Sequence, residues 1–366
     1  MLKKLFGFLG IIVVLIVVYF LVWPVPVEPV AWKAPPNPGY SGPFARNSRL
    51  KGIETLPLGG NHGPEDIALD RKGRIYAATH EGRIVRLQPD GSNPENWAET
   101  GGRPLGIDFD NQGNLIVADG YRGLLSISPQ GEVRVLADTA DGIPIRYADD
   151  VDVAADGKIY FSDASTKFGA RESGGTMEGS LLDIMEHGGH GRLLVYDPAT
   201  GKATTLLKGL NFANGVAVSP DQRFVLVNET GSYRVVRYWI SGALKGRAEP
   251  LVEGLPSFPD NISTGMGGRF WVALVSPRNP LLDGLSDKPF LRKVIQRMPA
   301  FLRPKTEPYG HIIAIDSKGK VVADLQDPDG AYPINTSVTE TEDYLYIGSL
   351  VTPVLGRLPK AKAGIR

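Results

Sequence analysis

The chain has 366 residues, enough for two ordinary domains or one large β or α/β barrel-type domain. Lys plus Arg number 40 and Asp plus Glu number 40, so the basic excess expected of a nucleic-acid binder is missing. A composition of 42% hydrophobic and 22% charged residues excludes general disorder, and the absence of cysteine excludes disulfides, thiolate zinc sites and cysteine nucleophiles.

Residues 5–23 read LFGFLGIIVVLIVVYFLVW, with no charge. As a helix they span about 29 Å, the thickness of one hydrocarbon core. Lys3 and Lys4 precede the run, and no Lys or Arg follows until Lys33. The positive-inside rule therefore predicts residues 1–4 as a cytoplasmic tail, 5–23 as a single transmembrane anchor in contact with membrane lipid, and everything beyond as extracytoplasmic (periplasmic, lumenal or extracellular). No A-x-A cleavage site follows the run, which argues against a removed signal peptide. Residues 24–50 are Pro-rich and predict a stiff, extended spacer.

From about Gly59 the chain repeats itself. The recurring strands are GRIYAAT from Gly73, GNLIVAD from Gly113, GKIYFSD from Gly157, RFVLVNE from Arg223, GRFWVAL from Gly268 and DYLYIGS from Asp343. Further β-rich runs such as GRIVRL, GLLSIS, GRLLVYD and YRVVRYW follow several of them, with turns rich in Asp and Gly between. Six units of three or four strands predict an all-β fold, a six-bladed β-propeller over 51–366. Two insertions interrupt it. Residues 168–190 include the helix-like SLLDIMEH from Ser180. Residues 276–309 carry Phe290, Leu291, Val294, Ile295, Met298, Phe301 and Leu302 at helical spacing beside Arg292, Lys293, Arg297, Arg303 and Lys305. This second pattern predicts a basic amphipathic helix, acting as a lid over the channel mouth, as a membrane-facing patch, or simply packed on the propeller.

A short signature precedes each recurring strand by eight or nine residues. In order these are Glu65-Asp66-Ile67, Leu105-Gly106-Ile107, Asp149-Asp150-Val151, Asn214-Gly215-Val216, Asp260-Asn261-Ile262 and Thr336-Ser337-Val338. Innermost strands line a propeller's channel, so Glu65, Asp149, Asn214 and Asp260 are expected to converge on its axis with Asn261 beside them. Such a set repels itself unless a cation sits within it. Carboxylates and amide oxygens without His or Cys favour calcium over zinc. Asp66, Asp150 and the backbone carbonyl of Ile107 form a second, weaker constellation for a structural calcium. Its rival reading is two aspartates hydrogen-bonded to turns. His62 and His80 read as surface or core residues rather than catalysts, and His187, His190 and His311 show no usable spacing.

GPEDIA, RPLGIDF, VADGYRGL, YADDVDV, YFSDAS, FANGVAVSPD, FPDNIS and LYIGS together resemble the strictosidine synthase-like family. Its wider superfamily includes the paraoxonases and the SMP-30/gluconolactonases. The resemblance runs over residues 52–358 and extends to the anchor. It implies a calcium-dependent hydrolase of small-molecule esters or lactones, arylesterase-like or lactonase-like, in which the metal polarises the carbonyl for attack by water. The positions matching the paraoxonase catalytic calcium are Glu65, Asp149, Asn214, Asp260 and Asn261, with Asp149 replacing an Asn. Those matching its structural calcium are Asp66, Asp150 and the Ile107 carbonyl. Asp260, then Glu65, is the implied general base. Leu105 stands where the paraoxonases carry a His, and Thr336 where strictosidine synthase carries its Glu. The second departure disfavours a bond-forming reaction of the strictosidine type. A non-catalytic propeller that binds a ligand and keeps calcium for structure is the remaining alternative.

Overall fold

The computed structural model describes residues 2–365. Six four-stranded antiparallel sheets surround a central channel. Five are built from consecutive strands, beginning with Ile67–Leu69, Pro104–Phe109, Ala148–Val153, Ala213–Val218 and Ser257–Thr264 as their innermost members. The sixth is completed from the other end of the chain. Asn335–Glu340, Tyr344–Ser349 and Val354–Pro359 supply three strands, and Glu54–Pro57 adds the outermost, pairing Glu54 with Arg357 and Pro57 with Val354. The sequence reading thus holds for a six-bladed all-β propeller with an N-terminal apolar helix and short helical insertions.

The core lies between blades rather than within them. Each recurring strand is apolar on both faces, as Leu115–Asp119 and Phe224–Glu229 illustrate by being buried throughout. One cluster joins blades 1 and 2 through Ala68, Tyr76, Ile84, Ile107, Val117 and Leu125. Equivalent clusters fill the other junctions around the ring.

Helix α1 covers Leu2–Val22, and its apolar side chains from Leu5 to Val22 are exposed except Phe20, which is half-buried. It fits a signal anchor by length and hydropathy. The Pro-rich stretch forms no helix or strand from Val25 to Tyr40, and it packs against the propeller and its insertions. Val27 is fully buried against Phe168, Met185 and Ile295. The Trp32 ring stacks on His187 at 3.9 Å. Arg278 donates to the carbonyls of Pro35 and Pro36, acceptors that a proline run leaves unused.

The insertions fold as α2, Thr176–Glu186, then α3, Pro280–Gly284, and α4, Pro289–Arg297. The amphipathic helix expected from Phe290 to Leu302 is therefore cut short: α4 stops at Arg297, and Ala300–Leu302 form a separate turn. Pro299 is the reason: it holds the preceding Met298 extended and cannot continue α4. The expected basic face is also partly absent. Arg292 and Arg297 are buried and spend their guanidinium groups on main-chain carbonyls.

Candidate active site

The signature residues sit in bulges. In blades 2 to 6 the pairing of the innermost strand with its neighbour slips at the signature, between Pro104 and Ile107, Ala148 and Val151, Ala213 and Val216, Pro259 and Ile262, and Asn335 and Val338. The two residues between therefore escape the ladder and re-aim their side chains. In blade 1 the Ala78 carbonyl and amide bond Glu65 N and Asp66 O around the same feature. The carboxylate ending a recurring strand fixes the approach to several bulges. Asp119 accepts the Arg103 amide at 2.9 Å, Asp163 the Tyr147 amide at 3.0 Å and Glu229 the Asn211 amide at 3.0 Å.

Because neighbouring residues of a strand point to opposite sides, the two bulge residues serve different cavities. Glu65, Asp149, Asn214 and Asp260 line an upper cavity together with Leu105, while Asp66, Asp150, Asn261 and Ser337 line a lower one. The four side chains expected on the axis share the lining of this one cavity. Asn261, expected beside them, lines the lower cavity with Asp66 and Asp150 instead.

In the upper cavity Asn214 Nδ2 donates to Asp260 Oδ1 at 2.6 Å. Asp149 Oδ2 and Asn214 Oδ1 are buried without a hydrogen-bond partner. Burial, reinforced by the other carboxylates, holds the Asp149 and Asp260 carboxyls well above the usual range. Glu65 is treated differently. Arg103 Nη2 donates to Glu65 Oε2 at 3.0 Å, and Arg103 Nη1 donates to the Pro104 carbonyl at 2.8 Å. Both side chains of this pair are almost wholly buried. Burial still raises the Glu65 carboxyl, against the pull of the guanidinium. Arg103 was not singled out from the sequence. It lies two residues before Leu105, the one ring position of the second blade with no polar side chain to draw attention.

The orphaned oxygens bear on whether a cation fits. Each buried polar atom left unpaired costs roughly 1–3 kcal/mol, so partners absent from the protein chain are to be expected for Asp149 Oδ2 and Asn214 Oδ1. Among the described residues no three His, Cys, Asp or Glu side chains form a group able to hold a metal. A cation would therefore draw on amide oxygen as well as carboxylate. Asp149, Asn214 and Asp260 supply that mixed oxygen set, which suits a hard ion.

The lower cavity is stitched by main-chain bonds between blades. Asp66 Oδ2 accepts the Ile107 amide at 2.9 Å, and Asp150 Oδ2 the Val216 amide at 2.7 Å. One step along the channel, Asp108 accepts from Val153 and Asp152 from Val218. Burial pushes Asp66 up to about 7 and Asp108 up to about 6. Asn261 Oδ1 and Nδ2 have no partner here. The pair Asp66 and Asp150 thus acts first as acceptors for neighbouring blades.

Thr336 Oγ1 donates to the Glu65 carbonyl at 2.6 Å and so holds blade 6 to blade 1. His62 bonds Glu81 and lies against His80 at 4.8 Å, both histidines being exposed. His311 bonds Asp324, and His190 bonds Glu186. Above the polar floor the upper cavity is apolar, walled by Tyr147, Phe212 and Phe258 from the blades and by Met177, Leu181 and Leu282 from the insertions.

Two family profiles match this chain: strictosidine synthase over residues 149–243 and the N-terminal part of strictosidine synthase-like proteins over 42–87. Adipocyte plasma membrane-associated protein of Rattus norvegicus is 35% identical over 356 residues, 91% of this chain and 93% of its own length. Strictosidine synthase-like 6 of Arabidopsis thaliana is 36% identical over 315 residues, covering 84% of this chain and 82% of that protein. Among solved structures, a gluconolactonase of Xanthomonas campestris superposes with a TM-score of 0.61 at 17% identity, over 85% of this chain and 91% of its own, a likeness of fold. On these relatives, matched over most of their length, the chain belongs to the strictosidine synthase-like family.

Proposed function

We propose that this protein is a membrane-anchored hydrolase of small-molecule esters or lactones that works with calcium bound at the upper cavity. The propeller then lies outside the cytoplasm and residues 1–4 within it. The observation that carries the reading is a polar floor with unsatisfied oxygens on Asp149 and Asn214 beneath an apolar vault. Asp149, Asn214 and Asp260 would hold the ion. A bound calcium polarises a carbonyl and stabilises the negative charge that develops on its oxygen.

The chain's own groups supply the rest. Tyr147, Phe212 and Phe258 exclude water from the vault and pack the apolar part of the substrate. Asp260 is the better general base of the two candidates. One of its oxygens accepts from Asn214 and keeps a second lone pair for the ion, which leaves the other for the proton of the attacking water. Glu65 has its charge committed to Arg103, and a carboxylate so paired is a weaker acceptor.

A panel of aryl esters and lactones, assayed with and without chelator, tests this. Chelator is expected to abolish turnover while the circular dichroism spectrum is retained, and Asp260→Asn is expected to lower kcat at least about 100-fold. A panel with no turnover favours a second reading, a ligand-binding propeller. The Arg103–Glu65 pair and the main-chain bonds of Asp66 and Asp150 speak for it, since they close the hub without an ion.

A further inference from the structure

The end of α1 is bonded to α4. Tyr19 Oη donates to the Arg297 carbonyl at 3.0 Å, Arg297 Nε donates to the Trp23 carbonyl at 2.6 Å, and Arg297 Nη1 donates to the Phe20 carbonyl at 2.9 Å. The last turn of a helix leaves its carbonyls unsatisfied and carries partial negative charge, so a guanidinium there is a strong fastening. Lys293 pairs with Glu28 at 2.6 Å on the following stretch, and buried Val27 continues the seam. The C-terminal end of an anchor lies at a bilayer surface, and α4 is fixed to that end.

The surface beside this seam is apolar and uncovered. Phe290 and Leu291 of α4 are exposed, as are Phe301 and Leu302 of the turn Ala300–Leu302, with Phe301 at 72%. The same insertions wall the upper cavity, and Leu181 of α2 both lines it and is 48% exposed. Leu181 thus places an exposed apolar side chain at the rim of the cavity, on insertions that pack together.

We propose that α4 and the turn Ala300–Leu302 seat on the lipid leaflet that α1 enters, and that the upper cavity takes its substrate from that leaflet. The substrate class is an amphiphile with a long apolar chain and an ester or lactone at its polar end. The chemical identity of that end rests on the hydrolase reading; the seating and the lipid-side entrance do not.

The chain has no cysteine, so single reporters can be placed without background. Full-length Phe290→Cys, Phe301→Cys and Val135→Cys, each carrying an environment-sensitive fluorophore, would be reconstituted in phosphatidylcholine vesicles with and without spin-labelled lipid. Val135 is an exposed position on the outer strand of blade 2. Quenching at 290 and 301 is expected to exceed that at 135 at least threefold; equal quenching overturns the seating. In the same vesicles, photolysis of a fatty ester with a diazirine on its chain is expected to label residues 177–184. Labelling confined to α1 and residues 290–302 overturns uptake into the cavity. Neither readout needs turnover, so an inactive protein would defeat the hydrolase reading without touching these outcomes.

Discussion

Removing the guanidinium of Arg103 would leave Glu65 a buried carboxylate with no charged partner, at the edge of a cavity that already holds two others. Breaking a buried pair from one side costs roughly 3–5 kcal/mol. Arg103→Gln is therefore expected to melt several degrees lower without metal. It is also expected to bind calcium about tenfold more tightly than the parent, because Glu65 becomes available as a ligand. Titration calorimetry and melting curves with and without calcium check both halves; an unchanged affinity would show that Glu65 takes no part. A second buried carboxylate gives a pH test away from the hub. Burial pushes Asp183 up to about 7, with Glu186 and Lys167 its charged neighbours. Its folded value exceeds the unfolded one, so the folded state holds the extra proton between about pH 4 and 7. Stability contributed by this group falls across that window by about 1.4 kcal/mol per pH unit. Asp183→Asn is expected to remove one proton's share of that slope and to raise the melting temperature at pH 8. At this scale Glu65, Asp149, Asn214 and Asp260 were legible because one register recurs in four blades. Arg103 was not, because its role depends on a neighbouring blade that no spacing within its own blade reveals. The alternation that sends Asn261 to the lower cavity is legible too, since Asn261 holds the signature place of Asp66 and Asp150; the expectation set it on the axis only as the chain neighbour of Asp260.

The bulged inner strands show how small elements position large consequences. Gly106 and Gly215 hold the second signature position, where other blades carry Asp66, Asp150, Asn261 and Ser337, and the next blade's backbone fills the space. A Cβ on Gly215 would stand 2.3 Å from Ile262 N, and one on Gly106 2.6 Å from the Asp150 Cα. Gly215→Ala is expected to destabilise by about 1–3 kcal/mol and to displace Asp260 and Asn261 together, seen as lost stability to denaturant and weaker calcium binding. The strands were legible because apolar runs and Gly-led turns mark them repeatedly. The helical insertions were only partly so. Their apolar spacing survives in Ile295, but Arg292 and Arg297 read as solvent charges until their carbonyl partners, remote in sequence, are known.

For the whole molecule, the ring closes where the first strand meets the last blade. Leu56 is buried there with Leu58, Ile67, Val85 and Leu355, so Leu56→Ala is expected to cost about 2–4 kcal/mol. Denaturation of that variant should remain a single transition, since an opened ring exposes edges at both ends; loss of blade 6 alone would argue otherwise. Sequence periodicity gave the number of blades, yet not the donor of the closing strand, which lies outside the repeating pattern. That closure also sets a schedule for biosynthesis. Glu54 and Arg357 are 303 residues apart, which at about 5–20 residues per second means some 15–60 s of translation between them. Throughout that interval the nascent chain carries an unmated β-edge, and factors that shield such edges are expected to raise the yield of closed rings.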